Sequence, residues 1–149
     1  MLQLLQQLYN FYVIKRQLKR MHYATIILRN SIQYGDCVEE KIYFKKALKL
    51  FKTRLLRFNR SFDSNDDWIR AIANANALLT DEFFQNIDKF SIKCNNKNDV
   101  IKKFDALAVD FFSLYKINKY SNFEEIVNLC NFLMSDLSEI NRLFENSRN

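Results

Sequence analysis

The near absence of glycine and proline restricts the fold of this chain more than any other feature. Among 149 residues there is one glycine and no proline. The tight turns of β-hairpins depend heavily on these two residue types, so the chain can form very few hairpins. Hydrophobic residues make up 48% of the sequence and charged residues 27%, which is typical of a folded globular protein. We therefore predict an all-α protein whose helices are joined by short polar connections.

Apolar residues recur at helical spacing along most of the chain, and they predict a compact bundle of five or six helices. The length suits a single domain that spans residues 1–149. The first helix covers about residues 2–33. Its apolar stripe shifts by roughly a quarter turn near residues 12–16, which predicts either one long, kinked helix or two joined helices.

The second helix, about residues 37–61, shows the clearest pattern of the chain. Its apolar side chains alternate in steps of four and three residues, which is the heptad-like spacing of a helix that packs along another helix. This seam comprises Phe44, Leu48, Phe51, Leu55, Phe58 and Phe62. Further helices are predicted to begin near residues 68, 80, 99 and 121.

Charge is distributed unevenly between the two parts of the chain. Residues 1–62 contain thirteen Lys and Arg against three acidic residues, a net charge of +10. Residues 63–149 contain ten Lys and Arg against fourteen acidic residues, a net charge of −4. The whole chain carries a net charge of +6. A protein with this distribution attracts anionic partners to one end. The basic N-terminal half is therefore the predicted recognition surface.

Ten cations of the first two helices form the candidate site, because they lie away from the apolar stripes of those helices. If the two helices pack antiparallel, their clusters join into one positive surface. The ten residues are Lys15, Arg16, Lys19, Arg20, Lys45, Lys46, Lys49, Lys52, Arg57 and Arg60.

Two kinds of partner fit such a surface. One is an acidic protein, docked by a regulatory protein such as an inhibitor, an immunity protein or a complex subunit. The other is RNA or DNA, whose phosphates residues 15–60 would neutralise. In that case five tyrosines supply stacking surfaces for single-stranded bases. The candidates are Tyr9, Tyr12, Tyr23, Tyr34 and Tyr43.

The sequence offers little for catalysis. One histidine rules out His-rich metal sites, one glycine rules out a glycine-rich phosphate loop, and the three cysteines lack metal-ligand spacing. We expect a non-catalytic protein without metal or cofactor. The exception is Arg16 and His22, whose R-x5-H spacing resembles the R-x4–6-H motif of the HEPN ribonucleases. This resemblance, confined to one motif, implies that the two side chains act on an RNA phosphate, usually across a dimer.

Location and assembly follow from the cysteines and the apolar faces. Cys37, Cys94 and Cys130 are odd in number and widely separated, which favours a reducing, cytoplasmic location. No export signal or membrane span is predicted.

The Phe83-Phe84 and Phe111-Phe112 pairs give their helices wide apolar faces. These helices are therefore central in the bundle, or part of their surface forms a partner or homo-oligomer interface.

Overall fold

The computed structural model describes residues 2–34, 38–61, 67–90, 94–118 and 123–146. It describes side chains for residues 12–34, 42–60, 74–90, 94–118 and 124–146. The described residues form five α-helices and no strand, which confirms the predicted all-α class. The helices are α1 (Leu2–Gln33), α2 (Val38–Ser61), α3 (Asp67–Ile87), α4 (Lys97–Tyr115) and α5 (Phe123–Glu145).

Residues 2–33 form one long continuous helix, α1, which is one of the two predicted alternatives. Another helix differs from the sequence-based expectation at its boundaries. The helices expected to begin near residues 68 and 80 are a single helix, α3. Thr80 resembled an N-cap, but its buried hydroxyl donates to the Asn76 carbonyl at 2.7 Å within α3. A threonine can bond back to the preceding turn in this way without ending the helix.

The five helices form a ring in which each helix packs against two others, in the spatial order α1, α2, α3, α5, α4. The α1–α4 pair is antiparallel, since Arg29 of α1 contacts Asp105 of α4, whereas Lys15 contacts Tyr115. The short connection between α1 and α2 likewise folds these two helices into an antiparallel hairpin. As a result α1 lies between α2 and α4, and no other described helix contacts it.

Phenylalanines from four helices fill the centre of the ring. Phe51 of α2 is fully buried, and its ring centroid lies 5.3 Å from that of Phe83 and 6.2 Å from that of Phe104. Phe83 in turn contacts Phe144 of α5, with centroids 5.3 Å apart. Tilted and edge-to-face ring contacts of this kind add to the stabilisation that burial provides. The predicted apolar seam of α2 therefore faces the centre of the bundle.

Most predicted core positions are buried. On α2 Leu48 is only partly buried, and Phe62 lies outside the described residues. In each predicted Phe pair the first ring is fully buried, whereas Phe84 is partly buried and Phe112 is 40% exposed. The buried residues of the two predicted stripes are Leu18, Met21, Leu28, Ile32, Phe44, Phe51, Leu55 and Phe58.

The two cysteines that the structure describes are buried thiols without a disulfide. Cys94 donates to the side-chain oxygen of Asn96 at 2.8 Å, and burial raises the pKa of Cys130 to about 11. Cys37 lies outside the described residues. None of the helices, over the parts described, has an apolar stretch long enough to cross a membrane.

Candidate functional site

Four arginines lie close enough to influence one another electrostatically where α1 packs against α2. The positive charge of Arg16, one turn away on α1, is the main cause that lowers the pKa of Arg20, followed by partial burial. Arg54 and Arg57 of α2 lower that pKa further. A like charge has this effect only when it is close, because it disfavours the protonated form. We call the four residues Arg16, Arg20, Arg54 and Arg57 the basic seam.

The antiparallel hairpin explains why these four side chains converge. Positions equally distant from the α1–α2 connection lie side by side, which brings residues 14–17 of α1 opposite residues 54–57 of α2. Arg20 lies about one turn nearer the connection. Arg16 and Arg20 are neighbours on one face because they are four residues apart, and Arg54 and Arg57 because they are three apart. The closeness of the four positive charges therefore follows from residue spacing within each helix and from the packing of α1 against α2.

Three of the four arginines of the basic seam have no carboxylate partner among the described residues. Ion pairs on other faces of the bundle join Arg29 to Asp105, Lys103 to Asp136 and Arg142 to Glu139. Within the described part of the chain Arg16, Arg20 and Arg54 form no ion pair. Guanidinium groups present planar sets of N–H donors that match carboxylate and phosphate oxygens. The seam is thus equipped to bind an anion.

Other predicted cations of α2 point away from the seam. The ammonium group of Lys52 lies 5.3 Å from the ring centroid of Phe84, on the side of α2 that faces α3. Lys49 and Lys45 are exposed one and two turns before Lys52, and therefore follow the same side. Lys46 and Arg60 are also exposed on α2. The ten predicted residues therefore do not converge at one point.

Arg54 is the member of the seam that the sequence-based list omitted. It is partly buried and lies three residues before Arg57, on the flank of α2 that faces α1. Counting outward from the connection between the two helices places Arg54 about one turn beyond Arg20. The apolar seam identified the inner face of α2 but did not show which flank meets α1.

Exposed tyrosines form a line along the outer face of α1. Tyr12, Tyr23 and Tyr34 are 64%, 65% and 61% exposed. They are eleven residues apart, which is about three helical turns and keeps them on one face. Arg16 and Lys19 are exposed between the first two rings. We call this line the tyrosine ladder; the side chain of Tyr9 lies outside the described residues, and Tyr43 is 45% exposed on α2.

The α4 side of α1 also combines aromatic rings with cations. Lys15 lies 5.1 Å from the ring centroid of Tyr115, and Lys116 lies 4.5 Å from that of Phe112. These distances are typical of cation–π pairs. Lys15, a predicted site residue, therefore faces α4, on the opposite side of α1 from the basic seam.

His22 faces α4 as well. Its Nδ1–H donates to the backbone oxygen of Ala108 at 2.9 Å, and its ring centroid lies 5.3 Å from that of Phe112. Arg16 instead lies beside Arg20, towards α2. The two residues of the R-x5-H motif thus occupy different sides of α1, and the nuclease activity that the motif implies stays a prediction.

These contacts give His22 a role in joining α1 to α4. We expect His22→Ala to lower the free energy of unfolding by about 1–2 kcal/mol, since it removes one hydrogen bond and an aromatic contact. Urea unfolding monitored by circular dichroism measures the loss. Tyr23→Ala, at the exposed neighbouring position, should change it by less than about 0.5 kcal/mol. Equal effects of the two substitutions would contradict the proposed role of His22.

A pair of carboxyl groups lies between α4 and α5. Burial and the nearby Asp136 raise the pKa of Asp110 to about 8, although Lys103 opposes the shift. The ammonium group of Lys103 lies 3.7 Å from a carboxylate oxygen of Asp136. The sequence showed Asp110 only as one carboxylate among several and did not suggest Asp136, because the pairing depends on how α4 and α5 align. The described residues contain no group of three or more side chains suited to hold a metal ion.

The chain matches no protein-family model, no curated protein and no solved structure. Its function is therefore inferred from its own surface chemistry. The basic seam and the tyrosine ladder are the features that bear on this inference most strongly.

Proposed function

We propose that the protein is a non-catalytic binding protein that engages a polyanionic partner through the basic seam. The net charge of +10 over residues 1–62 carries this proposal, and the electrostatic influence of Arg16, Arg54 and Arg57 on Arg20 supports it. Guanidinium groups held close to each other repel, and an anion placed between them relieves that repulsion. The partner is either the acidic surface of another protein or the phosphates of a nucleic acid, and the tyrosine ladder favours the second.

Binding by such a surface has recognisable physical properties. Association is steered by long-range attraction and therefore slows as salt is added. For a nucleic acid, the affinity also falls steeply with salt because each neutralised phosphate releases counterions. The acidic second part of the chain, with its net charge of −4, repels the same partner and helps to orient it.

A pair of double variants tests the proposal. Arg20→Gln with Arg54→Gln removes two charges from the seam, whereas Lys89→Gln with Lys102→Gln removes two from exposed positions elsewhere. The probe is a heparin-derived octasaccharide, a generic polyanion, titrated by calorimetry at about 50 mM salt. We expect Kd to rise at least ~10-fold for the seam variant and less than ~3-fold for the control. An equal rise in Kd for the two variants would show that net charge alone causes binding. It would contradict a specific role of the basic seam.

A further inference from the structure

The exposure of the tyrosine ladder needs a physical explanation. Tyr12 and Tyr23 are each almost two-thirds exposed, although phenol rings bury much apolar area when a partner covers them. Their exposure shows that neither α2 nor α4 covers them. Aromatic rings exposed on one helix face beside cations suit the binding of nucleic-acid bases. The ladder therefore extends the candidate site beyond the four arginines.

Rings and cations alternate along this face of α1. Tyr12 and Tyr23 are about 16 Å apart along the helix axis, at 1.5 Å per residue. Arg16 and Lys19 are exposed between them, and Arg20 continues the positive charge into the basic seam. An extended ligand laid along α1 would meet an aromatic ring, then cations, then a second ring.

Only some polyanions can bind both the cations and the tyrosine rings on this face of α1. An acidic protein surface pairs with the guanidinium groups but offers nothing specific to the phenol faces. In a nucleic-acid duplex the bases already stack on one another and are not available to the tyrosines. A single strand offers both unstacked base faces and phosphates, which suit an aromatic platform beside a positive groove.

On this ground we infer that the polyanion bound by the basic seam is a single-stranded nucleic acid whose bases stack on Tyr12 and Tyr23. The inference rests on the proposed function, because it places the phosphates on the seam. Arg16 and Arg20 bind phosphates next to the stacked bases.

Fluorescence anisotropy with a labelled oligothymidylate of about 20 nucleotides tests the inference, with a duplex of equal length for comparison. The test variant is Tyr12→Ala with Tyr23→Ala. The control is Leu78→Ala with Phe132→Ala, which truncates two similarly exposed apolar side chains on α3 and α5. We expect the tyrosine variant to weaken single-strand binding at least ~30-fold and the control less than ~3-fold. The wild type should prefer the single strand to the duplex.

Binding of the heparin octasaccharide separates this inference from the proposed function. The tyrosine variant should keep its affinity for the octasaccharide, because that ligand carries charge but no bases. If the octasaccharide binds through Arg20 and Arg54, yet the oligothymidylate binds no better than duplex or a polyglutamate peptide, the single-strand inference is wrong and the proposed function stands. If Arg20 and Arg54 do not contribute to octasaccharide binding, both fail.

Discussion

Replacing Phe51 with alanine is expected to lower the free energy of unfolding by about 3–5 kcal/mol. Phe51 is fully buried, and its ring contacts Phe83 and Phe84 of α3 and Phe104 of α4. Truncation removes the apolar area of the ring and leaves a cavity where three helices meet. Aromatic rings on several sides restrict collapse of the surrounding side chains into that space, which places the loss near the upper end for such substitutions.

Urea unfolding followed by far-ultraviolet circular dichroism measures this loss. Leu56→Ala is the matched control, because it truncates a residue of the same helix that is 41% exposed. We expect the control to cost less than about 1 kcal/mol. Similar losses for the two variants would mean that Phe51 does not lie at the centre of the bundle.

Replacing Asp110 with asparagine is expected to stabilise the protein at pH 8. Folding raises the pKa of Asp110 to about 8, whereas the unfolded chain ionises near pH 4. The folded state therefore binds the extra proton between these values, and the free energy of unfolding falls as pH rises through that window. The group's contribution is fully present below pH 4 and lost above pH 8. Partial exposure weakens the effect, so we expect a gain of about 1–2 kcal/mol at pH 8.

The pH dependence of unfolding between pH 3 and 9 provides the measurement. Asp110→Asn should flatten the curve, and the two curves should converge only below pH 4, where the Asp110 side chain is uncharged in both the folded and the unfolded state. Asp105→Asn removes another α4 carboxylate, one that pairs with Arg29 at 2.8 Å. This control should destabilise the protein slightly rather than stabilise it. Parallel curves for the wild type and Asp110→Asn would contradict the raised pKa of Asp110.

Much of the fold is predictable from local patterns. The shortage of glycine and proline and the helical period of apolar residues are properties of neighbouring positions, and they correctly predict an all-α protein. The continuity of α3 is not predictable in the same way. The Thr80 hydroxyl accepts a hydrogen bond from Asn59 of α2 at 3.2 Å, so a tertiary contact uses a side chain that looks locally like a cap. The order of helices in the ring is also not predictable from the sequence, because the apolar face of a helix does not specify which other helix it packs against.

The site is only partly predictable for a related reason. The sequence shows which cations avoid the apolar stripe but not which flank of α2 faces α1. Arg54 joins Arg20 because it lies on that flank, whereas Lys52 faces α3. The carboxyl pair of Asp110 and Asp136 likewise depends on the alignment of α4 with α5. Both groupings are consequences of tertiary packing between segments distant in sequence.

The role of the basic seam is tested most directly by nuclear magnetic resonance of arginine side chains during titration with the oligothymidylate. The Nε–Hε signals of Arg16, Arg20 and Arg54 should shift together and saturate at the same ligand concentration. Arg142, which pairs with Glu139 on α5, should stay unchanged and serves as an internal reference. If binding saturates while the three seam signals stay fixed, and amide shifts concentrate instead near Lys45 and Lys49, the seam is not the binding surface.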